Sequence, residues 1–486
     1  MAYTATVIQG AQHWQCTFQG TPTVQELLVQ WRIPFPHPCG GRGTCGQCRI
    51  RAEGALSPMT TRERQLDSRL SCQTRLLGDA VITLLSASAM SIESDAASIV
   101  ASSGKGIGAA VDIGTTTVVF SCYDLATGTC LYTDAAVNPQ CTFGADVMSR
   151  IRAALQGELP RLQQSIRDCI LQLAEKSAYA ESITQWVFTG NTTMLYLLQG
   201  LDPKALAAAP YAADCLFGMD TIFNGTPAYL PPCISAFVGA DLTCAVLDSG
   251  MCRTGEINLL ADIGTNGELA LWKDGTLYVT SASAGPAFEG SGISCGCPSV
   301  PGAIDSVRLT YAGLRITTIG NRPPCGVCGS GLLDAIACLR QSGALDPTGL
   351  LSGPAELADG ICLTQQDIRS FQLAKAAIAA GIMMLLQQAG VQPKQIGHFY
   401  LAGGFGKHMD IDAAVAVGLF PQELRSRTEA IGNAALRGAA SLLQEENRHR
   451  LAQLCRHAFP VSLAGDAHFQ ELFLGAMSLT PLTDTF

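Results

Sequence analysis

Four cysteines near the N-terminus have the spacing of redox ligands. Three lie in the glycine-threaded run P-C-G-G-R-G-T-C-G-Q-C and the fourth follows in L-S-C-Q-T; they are Cys39, Cys45, Cys48 and Cys72. A [2Fe-2S] cluster needs four thiolates, and the plant-type spacing takes three from a short run and one from afar, although the first gap here has five residues rather than four. The pattern predicts a [2Fe-2S] cluster, with a structural zinc site as the alternative.

A second motif, present twice, has residues suited to binding phosphate. Residues 110–119, A-V-D-I-G-T-T-T-V-V, are echoed by residues 260–269, L-A-D-I-G-T-N-G-E-L. Each copy predicts a buried strand, an acidic glycine turn and a second strand. Glycine lets the backbone approach a phosphate closely, turn amides and threonine hydroxyls donate hydrogen bonds to it, and the aspartate can hold Mg²⁺ or order an attacking water. An ordinary glycine hairpin is the alternative for either turn alone.

The third motif, H-F-Y-L-A-G-G-F-G at residues 398–406, predicts a strand that ends in glycines, where bare backbone could lie against an adenosine. Together the three motifs predict an ATP site in which Asp112 and Asp262 are the catalytic residues. The predicted nucleotide-binding residues are Gly114, Thr115, Thr116, Thr117, Gly264, Thr265, Asn266, Gly267, Gly403, Gly404 and Phe405. The sequence contains neither a Walker A motif nor a strand-linked G-x-G-x-x-G.

The length and the patterning of the chain predict three units. At roughly 150 residues per domain, 486 residues exceed one compact core. Residues 1–85 predict a ferredoxin-like β-grasp of α+β type, residues 86–107 a serine-rich flexible linker, and residues 108–486 a two-lobed α/β ATPase with a duplicated ribonuclease-H-like fold.

Composition narrows the function classes. A formal net charge of −9 without a basic stripe argues against nucleic acid as a partner. The N-terminus has no export-signal pattern, and the apolar stretch Leu373 to Leu386 is too short to span a bilayer and carries Lys375. We therefore expect a cytoplasmic protein that does not enter a membrane. The 20 cysteines then indicate reduced thiols or cluster ligands, and they suit an anaerobe.

The motif set resembles two nested groups of proteins. Two D-I-G-T turns followed by A-G-G-F-G resemble the acetate kinase, sugar kinase, Hsp70 and actin superfamily. More narrowly, the chain resembles the reductive activators of corrinoid-dependent methyltransfer proteins, which also begin with a [2Fe-2S] domain. The phrases that carry this likeness are F-T-G-N-T-T-M at 188–194, A-D-I-G-T-N-G-E at 261–268, A-G-P-A-F-E-G-S-G-I at 284–293, C-G-S-G-L-L-D-A-I at 328–336 and A-G-G-F-G-K-H-M-D-I at 402–411.

This resemblance implies a specific activity. The protein would use ATP to return an inactive Co(II) corrinoid to Co(I), passing one electron from the cluster. Its partner would be a corrinoid protein or a cobalamin-dependent methyltransferase such as a methionine synthase. A low-potential ferredoxin or flavodoxin would supply the electron, and the protein would be a homodimer. Because Asp112 follows the linker almost at once, we expect a short version that lacks the family's middle domain.

Other functions remain open at this point. An activator of a radical 2-hydroxyacyl-CoA dehydratase has a similar ATPase fold but generally holds its cluster between subunits, without an N-terminal ferredoxin domain. A non-enzymatic ATP-binding switch of the actin or chaperone type would leave the four cysteines unexplained. A small-molecule kinase would form a phosphorylated product.

Three further segments have two interpretations each. Ala284 to Gly296 predicts either a partner-facing loop or a simple crossover turn. Asn191, with the threonines after it, predicts a helix cap at the cleft rather than a ligand. The pairs Cys295 with Cys297 and Cys325 with Cys328 could hold a second cluster, but ordinary packing of small buried thiols is the favoured interpretation.

Overall fold

The computed structural model describes residues 2–482, apart from 11, 32, 34, 36–40, 42, 44–47, 66–67, 85–97, 101–103, 145 and 312. The predicted linker, 86–107, therefore lies mostly outside the described residues. So do two of the four predicted cluster ligands, Cys39 and Cys45.

The N-terminal unit is a five-stranded mixed sheet in the order β2-β1-β5-β3-β4, with a helix packed on it. Its elements are β1 (Tyr3–Gln9), β2 (Gln12–Phe18), α1 (Val24–Gln30), β3 (Arg49–Leu56), α2 (Thr61–Gln65), β4 (Arg69–Leu70) and β5 (Leu76–Leu84). Helix α1 begins with a capping box, in which the Thr23 hydroxyl accepts from the Glu26 amide at 3.1 Å and the Glu26 carboxylate accepts from the Thr23 amide at 2.7 Å. The strand order and the packed helix give the predicted β-grasp.

The second unit is a six-stranded sheet in the order β10-β11-β9-β6-β7-β8. Its strands are β6 (Ile107–Ile113), β7 (Thr117–Asp124), β8 (Cys130–Val137), β9 (Ile183–Gly190), β10 (Met219–Phe223) and β11 (Thr226–Leu230). The helices that accompany it are α3 (Val147–Ala153), α4 (Leu159–Lys176), α5 (Thr192–Gln199), α6 (Lys204–Ala207) and α7 (Ala240–Ser249).

The third unit has a six-stranded sheet in the order β21-β20-β12-β13-β14-β22, and two smaller sheets. Its strands are β12 (Ile257–Ile263), β13 (Gly267–Lys273), β14 (Thr276–Ala282), β15 (Ala303–Thr310), β16 (Gly313–Thr318), β17 (Gly326–Val327), β18 (Ala355–Ala358), β19 (Ile361–Leu363), β20 (Ile396–Ala402), β21 (Thr428–Gly432) and β22 (Ala458–Pro460). Its helices are α8 (Gly329–Ser342), α9 (Gln365–Gln388), α10 (Gly403–Lys407), α11 (Ile411–Ala416), α12 (Ala434–Ser441), α13 (Glu445–Arg456) and α14 (Ala467–Gly475).

The two large sheets share one topology. In each, three consecutive strands form an antiparallel meander, β6-β7-β8 or β12-β13-β14. A later strand then pairs in parallel with the first strand of the meander, β9 with β6 and β20 with β12. The duplicated α/β fold predicted from the two D-I-G-T turns is confirmed.

Two helices cross where these two sheets meet. Helix α7 packs against helix α12, and a methyl group on Gly438 would lie 2.0 Å from the Cys244 carbonyl oxygen, so only glycine permits this approach. Cys244 and Leu436 pack with the second-unit sheet, whereas Ala245 and Ala434 pack with the third-unit sheet. The helix pair thus belongs to both cores and fixes their relative position.

Helix α9 is the one described helix that is long and apolar enough to cross a membrane, but 83% of its apolar window is buried inside the protein. It carries Lys375, which is fully buried. The Lys375 amine donates to the Val417 carbonyl at 2.9 Å and to the Ser478 carbonyl at 2.6 Å, tying the C-terminal segment to the core. Burial lowers the pKa of Lys375 to about 7.

The N-terminal sheet contacts the second unit through Arg161 on α4. Its guanidinium donates to the Val29 carbonyl of α1 at 2.9 Å, pairs with Glu158 at 2.8 Å and lies 5.5 Å from the centre of the Phe143 ring. Arg161 and Cys72 also line one cavity of about 680 Å³. The end of the N-terminal unit that carries Cys72 therefore lies against the second unit.

The Lys375 environment predicts how stability depends on pH. The folded pKa of Lys375 is about 7, whereas an unfolded lysine titrates near 10.4, so between these values the unfolded chain binds more protons. Its contribution to the free energy of unfolding should rise with pH across that window by at most about 1.4 kcal/mol per pH unit. Urea unfolding of the wild type and of Lys375→Met at pH 6.5, 8 and 9.5 measures this. Parallel pH profiles of the two proteins would contradict the prediction.

Candidate functional site

The described part of the cysteine quartet forms a thiol pair. The sulfurs of Cys48 and Cys72 lie 3.4 Å apart in the core of the N-terminal unit, and both side chains are buried. This separation suits two thiolates that bind the same iron atom. The structure therefore brings together the two predicted ligands that it describes.

A buried carboxylate shapes the turn that carries Cys72. Glu63 accepts hydrogen bonds from the Leu70 amide at 3.0 Å and the Thr74 hydroxyl at 2.7 Å, on either side of Cys72. It also accepts from the Thr60 amide at 2.7 Å. Burial alone would raise the pKa of Glu63, but these hydrogen bonds outweigh burial and lower it. Sequence analysis missed Glu63, because no spacing pattern links this carboxylate to the cysteines.

Each of the two phosphate-type turns is closed by a hydrogen bond from its glycine amide, but the two bonds span different numbers of residues. The Gly114 amide donates to the Thr117 carbonyl, and the Gly264 amide donates to the Asn266 carbonyl, each at 2.9 Å. The turns lie at equivalent ends of the β6-β7 and β12-β13 hairpins and face each other. Glu289 connects the two turns across the cleft. The Thr116 and Thr265 hydroxyls donate to the same oxygen of Glu289, at 3.0 and 2.9 Å.

The first turn is fixed from behind by buried donors. The Arg150 guanidinium donates to the Thr115 carbonyl at 2.5 Å and to the Gly144 carbonyl at 2.9 Å. The Asn138 amide donates to the Gly114 carbonyl at 2.7 Å. Arg150 is fully buried, and burial lowers its pKa to about 10, so it stays charged at neutral pH. This cation lies next to the place predicted for a polyphosphate.

Asn191 is the helix cap that sequence analysis predicted. Its side-chain oxygen caps helix α5 by accepting from the Met194 amide at 3.0 Å. Its side-chain amide donates to the Thr115 hydroxyl at 3.3 Å. The cap therefore also positions a residue of the first turn.

Carboxylates crowd the cleft between the turns. Burial raises the pKa of Asp112 to about 7, with a further increase from the charge of Asp241 and a partial offset by the Asn433 amide, which donates to Asp112 at 3.1 Å. Burial also raises the pKa of Asp262 to about 7, and the charges of Asp241, Asp112 and Glu289 add to this. A bound cation would relieve this mutual repulsion. The donor chemistry thus fits Mg²⁺ held with a nucleotide, although no three described His, Cys, Asp or Glu side chains form a closed metal cage.

The predicted adenosine motif differs from expectation in one respect. Its glycines do not end the strand but begin the short helix α10 after β20. Gly403 has φ +81°, and a methyl group there would lie 2.6 Å from an Asp262 carboxylate oxygen, whereas nothing lies within 4 Å of that position at Gly404. Phe405 stacks on Phe288 with ring centres 4.6 Å apart. The close approach to Asp262 of the second turn therefore requires glycine at position 403, whereas the space next to the Gly404 backbone is open.

Residues 284–296 line the cleft. Phe288 is buried against Phe405, and Glu289 bridges the two turns. The Ser294 amide and hydroxyl each donate to Asp367 at 2.6 Å, which ties the loop to the start of α9. These contacts anchor the loop at the cleft.

The four additional cysteines do not gather into a cluster site. Among the described residues, which include Cys295, Cys297, Cys325 and Cys328, no three thiols converge on one point. The Cys297 and Cys325 thiols are within hydrogen-bonding reach of each other, and Cys328 is buried with its thiol directed at the Ile304 carbonyl, 3.3 Å away. Packing describes this group better than metal binding.

Three family models match the chain. The model for 2Fe-2S iron-sulfur cluster binding domains matches residues 12–77, and that for the RACo middle region matches residues 107–254. The model for the C-terminal domain of RACo, the ASKHA domain, matches residues 256–485. Iron–sulfur and ATP-binding units thus occur in one chain, as predicted.

Individual relatives agree with these models. The corrinoid activation enzyme RamQ of Eubacterium limosum is 34% identical over 413 residues, which are 76% of this chain and 69% of that protein. The [Co(II) methylated amine-specific corrinoid protein] reductase of Methanosarcina barkeri is 28% identical over 264 residues, 50% of this chain and 48% of that protein. A solved reductive activator for a corrinoid, iron-sulfur protein is 26% identical and covers 98% of both chains with a TM-score of 0.71.

The fold and the site define an iron–sulfur protein fused to an ATPase of the actin, Hsp70 and sugar kinase fold. Within that class, the chain belongs to the family of reductive activators of corrinoid proteins. One expectation was wrong: the family's middle region is present, at residues 107–254. Asp112 lies inside that region, on the first strand of its sheet, so the short distance from linker to Asp112 did not indicate a missing domain.

The cluster assignment predicts opposite results for two buried cysteines. Replacing Cys72 with alanine removes a predicted ligand and should abolish most of the visible absorption and bound iron of anaerobically purified protein. Cys16→Ala changes a buried thiol of the same core and should leave both intact. A Cys72→Ala protein with full iron content and an unchanged spectrum would contradict the assignment.

The adenosine motif also offers a matched pair. Gly403→Ala places a side chain at positive φ against Asp262, so it should cost about 1–2 kcal/mol from the backbone alone and lower the melting temperature. Gly404→Ala has room and should leave the melting temperature unchanged. Thermal unfolding measures both, and equal effects of the two substitutions would contradict the geometry.

Proposed function

We propose that this protein uses ATP to drive the one-electron reduction of a partner protein's Co(II) corrinoid to Co(I). The observation that carries the proposal is the presence in one chain of a cysteine-bearing ferredoxin unit and two opposed phosphate turns, within a family of corrinoid activators. Family membership disfavours the dehydratase activator, the non-enzymatic switch and the small-molecule kinase.

The N-terminal unit is the electron-donating part in this proposal. We assign its cluster to Cys39, Cys45, Cys48 and Cys72, and the domain boundaries to residues 1–85, 86–107 and 108–486. The bound cluster supplies one electron at a potential near about −400 mV. The chain's contribution is to hold Cys48 and Cys72 at 3.4 Å in a buried setting, with Glu63 fixing the turn around Cys72.

The cleft is the ATP-hydrolysing part. We propose that Gly114, Thr115, Thr116 and Thr117 hold the phosphates from one side, and Gly264, Thr265, Asn266 and Gly267 from the other. Asp112 and Asp262 would hold Mg²⁺ or order the attacking water, and their neighbours Asp241 and Asn433 set their charge. Gly403, Gly404 and Phe405 would receive the adenosine.

Coupling between the two parts has an energetic reason and a structural route. Transfer of one electron to an acceptor whose reduction potential is 59 mV below that of the donor costs about 1.4 kcal/mol. Reduction of a corrinoid with a lower potential than the cluster therefore needs free energy from elsewhere. Nucleotide binding and hydrolysis can supply it by favouring one conformation of the complex. The Arg161 contact with Val29 connects the unit that carries the first phosphate turn to the cluster unit.

The remaining partners are proposed on the family resemblance. A low-potential ferredoxin or flavodoxin would reduce the cluster. The partner protein would be a cobalamin-dependent methyltransferase such as a methionine synthase. Homodimerisation is proposed on the same basis.

The test separates electron transfer from ATP use. With a Co(II) corrinoid protein, a reductant and MgATP, the wild type should form Co(I), seen by its visible spectrum, and hydrolyse ATP faster than without the partner. Cys72→Ala should lose cobalt reduction but retain ATP hydrolysis, whereas Asp262→Asn should lose about 10²-fold or more of the hydrolysis rate. Cobalt reduction without nucleotide, together with hydrolysis unaffected by the partner, would contradict the coupling.

A further inference from the structure

Glu289 makes the contact that joins the two phosphate turns. A single oxygen, Oε2, accepts from the Thr116 hydroxyl at 3.0 Å and from the Thr265 hydroxyl at 2.9 Å. Thr116 belongs to the second unit and Thr265 to the third, so the carboxylate bridges the cleft. These hydroxyls are also the donors that the turns would offer to a phosphate.

The surroundings of Glu289 are those of a phosphate site. Burial in the cleft raises its pKa, which the threonine hydrogen bonds and the positive charge of Arg150 partly offset. The same Arg150 holds the backbone of the first turn. On the other side, the charge of Glu289 repels Asp262. Two hydroxyls donate to one anionic group here and a buried guanidinium adds a positive charge nearby, so a second anion in that place would be repelled.

We propose that Glu289 competes with the terminal phosphate of ATP for Thr116 and Thr265, and that its displacement releases the loop at residues 284–297. This inference rests on the proposed function, because it takes the opposed turns to be the ATP site. A phosphate oxygen bound by both threonines would occupy the place of Oε2. The carboxylate must then leave, and ATP binding becomes coupled to the loop.

The loop has contacts that would carry this change. Next to Glu289, Phe288 stacks on Phe405 of the adenosine motif. Gly290 packs so tightly on the Cys297 backbone that a methyl group there would lie 2.1 Å from the Cys297 carbonyl oxygen. Further along, Ser294 donates through both its amide and its hydroxyl to Asp367, which forms the capping box of α9 with Thr364. Movement of Glu289 therefore acts on a segment that is held by Phe405 on one side of Glu289 and by Asp367 on the other.

The experiment compares Glu289→Gln with Glu256→Gln. The first keeps the size of the side chain and removes the competing charge; the second makes the same change at an exposed residue paired with His398, outside the cleft. Calorimetric titration with MgATP and with MgADP should show about tenfold tighter ATP binding in Glu289→Gln, because the substitution removes the charge that competes for the two threonine hydroxyls. ADP binding should change little, and Glu256→Gln should match the wild type for both nucleotides.

A second readout follows the loop itself. Hydrogen–deuterium exchange of the peptide covering residues 284–297 should increase when ATP, but not ADP, is added to the wild type, and should already be raised in Glu289→Gln without nucleotide. Unchanged or weaker ATP affinity in Glu289→Gln with a large loss of turnover would overturn the proposal and make Glu289 a proton acceptor for the attacking water. Exchange that does not respond to ATP would also overturn it. If the wild type binds no ATP at all, the proposed function fails, which is a distinguishable result.

Discussion

The close crossing of helices α7 and α12 is the constraint on which the site depends. Gly438 contacts the Cys244 backbone without an intervening side chain, and the two helices contribute to the cores of both large sheets. Asp241 lies in the first turn of α7, and Asn433 caps α12 by accepting from the Leu436 amide at 2.9 Å. The crossing therefore places the Asp241 carboxylate and the Asn433 side-chain amide close to Asp112, where the two phosphate turns face each other.

The electrostatics of the cleft follow from that geometry. Four acidic side chains, Asp112, Asp241, Asp262 and Glu289, are brought within interaction distance by elements from two sheets. Burial raises the pKa values of all four, and repulsion from neighbouring carboxylates adds to this for Asp112 and Asp262. A bound Mg²⁺ would relieve this unfavourable charge distribution. Arg150 provides a positive charge near Glu289.

The local motifs were readable from the sequence because their chemistry lies in consecutive residues. Each D-I-G-T turn and its hairpin depend on neighbours within about ten residues, and the duplicated topology followed from the two copies. Glu63, Asp241 and Glu289 reach their positions through tertiary packing, and no periodicity or spacing marks them. The middle region escaped recognition for a related reason: its first strand carries the first phosphate turn, so no inserted segment separates linker from motif.

Several donors around this site bind main-chain carbonyls. Arg150 binds those of Thr115 and Gly144, Asn138 binds that of Gly114, and Arg161 binds that of Val29. Every residue type has a carbonyl, so the accepting positions can change their side chains over evolution without losing the contact, while the donors cannot. Selection would then act unevenly on the two sides of each contact, and the architecture of the cleft could outlast much of the sequence around it.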